Sequence, residues 1–284
     1  MKKVNFLALF AFVFGIINFS SCKSNDDLGN EANLTATAID NSQISSTSDN
    51  IIATADEYIL PLELSNYAAV SGLQKTANLK NVAGVIITVD KPGNEFPKTI
   101  TLEFDSLGVK DKRDNVLKGK IIIVVSNKMT IAGSTRTYTF ENFSVNDNKV
   151  NGSKIVTFNG ETDGKPSWSV EVKDTLIRVD GKTVIVNSNN IRTRIDNNGT
   201  EKIYYDDSYS ILISASGINA KGVAYSLGTI DPLITAGTWP VFVKGKAQIT
   251  SEGRSVLIDY GDGTKDLKAT ATVNGVTKEF NLRK

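Results

Sequence analysis

Acidic side chains are the reactive groups this chain has in quantity. It carries 31 Asp and Glu residues, no histidine and a single cysteine, Cys22. Without histidine there is no Ser-His-Asp triad, no Cys-His pair and no His-ligated zinc, iron or copper. With one cysteine, Cys-based metal sites and dithiol redox chemistry go as well. No phosphate-binding GxxxxGK[ST] sequence and no strand-linked dinucleotide fingerprint occurs. Carboxylate chemistry remains, in two forms. A glycosidase needs only two acids at a set separation, and Asp105, Asp111, Asp114, Asp206, Asp207, Asp259, Asp262 and Asp266 are the candidates. Calcium takes several oxygen ligands, and extracellular modules hold it weakly. Asp259, Asp262 and Asp266 are close enough in sequence to contribute to such a site, although they lack EF-hand spacing. Turn chemistry competes with both uses, because Asp caps its own backbone and tolerates left-handed conformations. It is the expected role of each acid.

Aromatic side chains offer a second chemistry, the stacking of sugar rings. Trp239 stands before Pro240 at a loop edge, and Tyr204 and Tyr205 adjoin Asp206 and Asp207. These three are the candidate glycan contacts. Trp168 alternates with Val170 and Val172 and so belongs to a core face. Core or hairpin packing is the ordinary fate of such residues.

The elements that must position these groups are strands. Val85–Val89 and Lys120–Val125 are β-branched runs, and Thr99–Phe104 alternates polar with apolar, placing Ile100, Leu102 and Phe104 on one face. Similar runs continue to Leu282. Between them lie Asn151-Gly152, Asn159-Gly160, Asp163-Gly164, Asp180-Gly181, Asn198-Gly199, Asp262-Gly263 and Asn274-Gly275, which supply the positive φ of tight hairpins. The prediction is an all-β fold of antiparallel sheets with many hairpins, sandwich-like or an extended meander, over residues 51–284. Ile51–Tyr58 could begin a short helix that Pro61 interrupts, within an otherwise irregular stretch to residue 80. Leu102–Asp111 resembles Ile258–Asp266: each is a strand ending in acid-aromatic, a Gly-containing loop, then Lys-Asp. The likeness suggests two related β halves, about 80–160 and 161–284, with convergent hairpin chemistry as the competing account.

The N-terminus reads as a targeting segment. Lys2 and Lys3 precede a nearly continuous apolar run, Phe6–Ile17, too short to span a bilayer and of the length of a signal-peptide core. Ser20-Ser21-Cys22 follows and resembles a bacterial lipobox, which implies cleavage after residue 21 and acylation of Cys22 with palmitate-type chains. A lone cysteine in a secreted chain is accounted for in this way. Residues 22–50 are rich in Ser, Asn, Thr and Asp and read as a flexible polar tether. The acidic pair in Lys23-Ser24-Asn25-Asp26-Asp27 resembles part of a surface-export signal of Bacteroidota lipoproteins. Losing residues 1–21 removes two lysines and no acid, which leaves a net charge of −1. Nucleic acid is therefore not an expected partner.

Further stretches resemble a group of uncharacterised Bacteroidota cell-envelope lipoproteins. They include Ile87–Asp90, Phe96–Phe104, Lys118–Ile123, Tyr138–Phe143, Val145-Asn146, Trp239-Pro240-Val241, Ile258–Gly263 and Val273–Glu279. The resemblance covers roughly residues 84–284 and implies an outer-membrane lipid anchor at the periplasmic face or cell surface. It carries no activity, and the loop cysteines frequent in that group are absent here. The expectation is a non-enzymatic lipoprotein whose β body binds an unknown protein or glycan. It would touch the membrane through its anchor and need no cofactor beyond the covalent lipid, calcium aside. A glycan-binding accessory lipoprotein and a carboxylate-dependent glycosidase are the alternatives.

Overall fold

A computed structural model describes residues 25–67, 77–82, 84–91, 93–197, 199 and 206–283. Its first element is a helix, α1 (Asn25–Leu64). Strands β1 (Ala77–Val82), β2 (Val85–Val89), β3 (Lys98–Lys110), β4 (Val116–Val125) and β5 (Thr135–Val145) follow. Next come β6 (Asn148–Thr162), β7 (Lys165–Ile177), β8 (Thr183–Asp196), β9 (Ser208–Ile218) and β10 (Ala224–Ile234). The last are β11 (Lys244–Ser251), β12 (Arg254–Asp262), β13 (Lys268–Val273) and β14 (Val276–Asn281). Among the described residues the 14 strands form one antiparallel sheet in chain order, with β1 and β14 at its two edges. The all-β expectation thus holds as a meander, not a sandwich.

Alternation builds the sheet. Ile100, Leu102 and Phe104 of β3 are buried, as are Ile121, Ile123 and Val125 of β4, while the residues between them are more exposed. Asn274 and Gly275 have φ of 49° and 79°, and Val273 pairs with Val276 across them, as a two-residue hairpin requires. Asp163-Gly164 closes β6–β7 in the same way. Asn151-Gly152 and Asn159-Gly160 were expected as turns, but both lie inside β6, which continues through them with a register shift near Gly160. Gly152 there has φ +122°, and a Cβ on it would meet the Lys173 carbonyl oxygen at 1.9 Å, so the glycine serves a close backbone approach.

β6 also runs through residue 160, so the expected boundary between halves falls inside a strand. The two resembling segments sit in β3 and β12. Each lies beside a strand carrying Lys-Gly-Lys: Lys120 pairs with Glu103, and Lys246 with Asp259. In the first case the Lys-Gly-Lys strand follows its partner, and in the second it precedes it. The likeness is therefore of local strand chemistry set in opposite chain order.

The largest departure from expectation is α1. Residues 25–50, read as a tether, and 51–64 form one helix of 40 residues. The composition misled because α1 has no apolar stripe of its own. Leu34, Ala38, Ile44, Ile51, Ile52, Ala55 and Ile59 are buried, but so are Thr37, Asp40, Asn41, Ser42, Ser46, Ser48, Asn50 and Thr54. A helix polar on every side needs partners on every side, and the curled sheet supplies them. Pro61 sits in the last turn, where its missing N–H removes a single bond. Asn66 at φ 48° then ends the helix: Tyr67 N–H donates to Leu62 O (2.8 Å) and Asn66 N–H to Glu63 O (2.9 Å), a Schellman cap.

Candidate functional site

The interface between α1 and the inner face of the sheet is the most chemically dense part of the protein. Four helix carboxylates pair with four arginines: Asp40 with Arg178 (2.6 Å), Asp49 with Arg192 (2.5 Å), Asp56 with Arg136 (2.7 Å) and Glu57 with Arg113 (2.9 Å). These arginines come from β5, β8 and the β3–β4 and β7–β8 turns. Neutral bonds fill the intervals. Asn41 donates to the Tyr225 hydroxyl (3.1 Å), Ser42 bonds Tyr260 (2.9 Å), Asn50 donates to Pro240 O (2.9 Å) and Thr54 to Asp111 (2.9 Å). Burial pushes the Asp56 and Glu57 carboxyls above their ordinary range, and the facing arginines oppose that rise.

Beside the C-terminal half of α1 lies a cavity of about 80 Å³. Ile52, Leu60, Met129 and Phe158 line it, with Trp168 and Tyr209 on its wall and the Asp56–Arg136 pair and Arg192 at its base. The aromatics are in mutual contact: Phe158 to Trp168 at 5.5 Å and Trp168 to Tyr209 at 5.9 Å between centroids. Arg192 lies over the Tyr209 ring at 3.6 Å. Such a space holds several waters or a small apolar group, not a sugar ring with its hydroxyls. Two acids line it: Asp56 is paired with Arg136, and Glu63 accepts bonds from Met129 N (3.0 Å) and from the Tyr67 hydroxyl (3.0 Å).

The acids expected from sequence are scattered and engaged. Asp111 is the hub of the β3–β4 turn, where its Oδ1 accepts from Arg113 N and Asn115 N at 2.8 Å each and its Oδ2 from Thr54 and Asn115 side chains. Asp105 accepts from Leu107 N (2.8 Å), and Asp114 pairs with Lys110 in solvent (3.0 Å). Asp259, Asp262 and Asp266 do line one shallow groove. Within it each accepts a bond from its own turn, from Gly261 N, Thr264 N and Lys268 N respectively, and Asp259 also pairs with Lys246 at 3.3 Å. Among the described residues no three His, Cys, Asp or Glu side chains converge as metal ligands. Bonds from Lys110 and Thr264 hold the Asp114 and Asp262 carboxyls below their ordinary range, and Asp207 is the acid of the set that is raised. It is buried before β9, 3.6 Å from Arg194, and its carboxyl is pushed up to about 6 by burial, against the pull of Arg194 and with help from Asp206.

Trp239 is partly buried against the core, and its Nε1–H donates to Asp266 O (3.0 Å), so it braces the β12–β13 loop. Tyr204, Tyr205 and Cys22 lie outside the described residues. The sequence reading passed over the buried charges of α1 and their partners, together with Lys154 and Asp174. A signal was present: Lys154 is in strand phase with Val156 and Phe158, and Asp174 with Val172 and Leu176. A charge repeated in phase with core residues needs a partner. No protein-family model, no curated protein and no solved structure matches this chain.

Proposed function

We propose that this chain is a lipid-anchored, non-enzymatic protein of the cell envelope whose sheet presents outer surfaces to a protein or glycan partner. One observation carries the interaction reading: α1 occupies the inner face of the sheet, where a curved sheet would hold a ligand, and four ion pairs fasten it there, leaving spaces of about 80 and 330 Å³ beside the helix. The roomier spaces lie outside. One is the groove of about 610 Å³ along β11–β14, and another is a groove of about 620 Å³ along β2–β5. Both are lined by alternating Lys and acid side chains, a surface suited to recognition by complementary charge. The anchor rests on the lipobox resemblance at Cys22. Among the described residues no helix is long and apolar enough to cross a membrane, and acylation would supply the attachment.

Metabolic labelling with radioactive fatty acid, beside a Cys22→Ser control, tests the anchor. Label on the wild type alone is expected, and no label on either would overturn it. Incubating the purified protein with a panel of envelope polysaccharides and peptides tests the non-enzymatic reading, which turnover of any of them would overturn.

A further inference from the structure

Lys154 and Asp174 project from the neighbouring strands β6 and β7 onto the inner face. Gly152 pairs with Asp174 and Lys154 with Val172, so the two charged residues are diagonal neighbours. The lysine ammonium nitrogen, Nζ, meets Asp174 Oδ2 directly. Lys154 is fully buried and Asp174 is 3% exposed, among Val150, Val156, Val172 and Leu176. Ser48 of α1 completes the group: its Oγ is 2.6 Å from Lys154 Nζ and 3.0 Å from Asp174 Oδ2. Among the described residues Asp174 Oδ1 has no hydrogen-bond partner.

We propose that Lys154 and Asp174 condense to an intramolecular amide that joins β6 to β7 through their side chains. An ion pair here would hold two charges out of water with one carboxylate oxygen unanswered, an arrangement in which desolvation outweighs attraction. Burial lowers the lysine from its ordinary range, and passing one ammonium proton across the direct contact to the carboxylate leaves an amine and a carboxylic acid with no charge out of water. Those are the two forms that make an amide. The Nζ lone pair attacks Cγ and the C–N bond forms. The proton leaving nitrogen passes to Ser48 Oγ, whose own proton goes to the departing Oδ2 hydroxyl. The C–O bond breaks, one water is released and Ser48 is regenerated. No oxidant, reductant or co-reactant is needed. Fixing amine and acid in contact in a dry site gives the effective molarity that the reaction lacks in solution. The space beside Ser48 is about 20 Å³, so no external substrate reaches it and the group acts on its own chain. Because Ser48 belongs to α1, bond formation awaits docking of the helix.

Mass spectrometry of the full-length protein, denatured and digested with trypsin, decides the matter. The expected product joins the peptide 174–178 to a chain left uncut after Lys154, lighter than the two free peptides by one water. Free 174–178 peptide together with complete cleavage after Lys154 would overturn the proposal. Asp174→Asn should yield the identical branched peptide by losing ammonia in place of water, and Lys154→Arg should abolish it. Ser48→Ala, sampled at intervals after synthesis, should form the bond more slowly; an equal rate would overturn the relay assigned to Ser48.

Discussion

Arg283, just beyond the last strand, donates a guanidinium N–H to the carbonyl oxygen of Asp114 at 2.7 Å across a sequence separation of 169 residues. A second N–H reaches Arg113 O at 2.8 Å. Both carbonyls belong to the β3–β4 turn, so one side chain ties the far edge of an open sheet to its early strands. Among the described residues no ladder closes the sheet there, and the neighbouring Leu282 is buried against the core. Arg283 therefore acts as the latch of the curl. Arg283→Ala should cost about 1–2 kcal/mol in urea unfolding, within the range for charge-assisted bonds in partial solvent. Hydrogen exchange should rise first in β13 and β14. An exchange pattern unchanged from wild type would remove the latch role.

The ion pairs between α1 and the sheet invite a double-mutant cycle. Asp56 and Arg136 are each nearly excluded from solvent, at 14% and 8% side-chain exposure. Asp56→Ala alone leaves a buried guanidinium without its carboxylate, and Arg136→Ala leaves the reverse. Each should destabilise by about 3–5 kcal/mol. The double variant should cost clearly less than the sum, because it strands no charge. Additive losses would mean that the two side chains contribute independently.

The strands were legible because each obeys one rule, an alternation of apolar and polar residues that a single sheet face enforces. Ile100, Leu102 and Phe104 announce their face without reference to anything else. α1 obeys no such local rule. Asp40, Asn41, Ser42 and Ser48 become core residues only because Arg178, Tyr225, Tyr260 and Lys154, more than 100 positions away, come to meet them. Polarity that reads as disorder in isolation is satisfied by pairing at long range, and sequence composition does not carry that information. The same holds for Asp207, whose neighbours Asp206 and Tyr209 are visible in the chain while the burial that sets its acidity is not.

The glycine at 152 sets the geometry on which the Lys154–Asp174 contact depends. Its positive φ and the Lys173 carbonyl in the path of any Cβ give Gly152→Ala two independent penalties. The loss should be about 3 kcal/mol or more, the scale of combined backbone strain and overpacking. Gly164→Ala is the control. Its φ is +69° but nothing lies within 4 Å of an added Cβ, so only the left-handed backbone is penalised, by about 1–2 kcal/mol. Thermal unfolding of the two variants side by side should rank them in that order. Equal losses would show that the close approach of β6 and β7 at this point is relieved at no cost.

Asp207 should give the protein a pH dependence of defined sign. Its carboxyl, raised from 3.8 to about 6 by burial, keeps its proton in the folded chain over a range where the unfolded chain has released it. The native state then binds more protons than the unfolded state, so stability falls as pH rises through this window. The contribution is fully present below about pH 4 and gone above about pH 6. Asp207→Asn is neutral throughout and lacks the effect. The stability of wild type relative to Asp207→Asn should therefore drop on the order of 1–3 kcal/mol between pH 4 and pH 6.5 and then stay level. Other carboxylates titrate in the same range, but they are common to both proteins and cancel in the difference. A difference that is flat with pH, or that grows in favour of wild type, would mean that Arg194 at 3.6 Å compensates the buried charge in full.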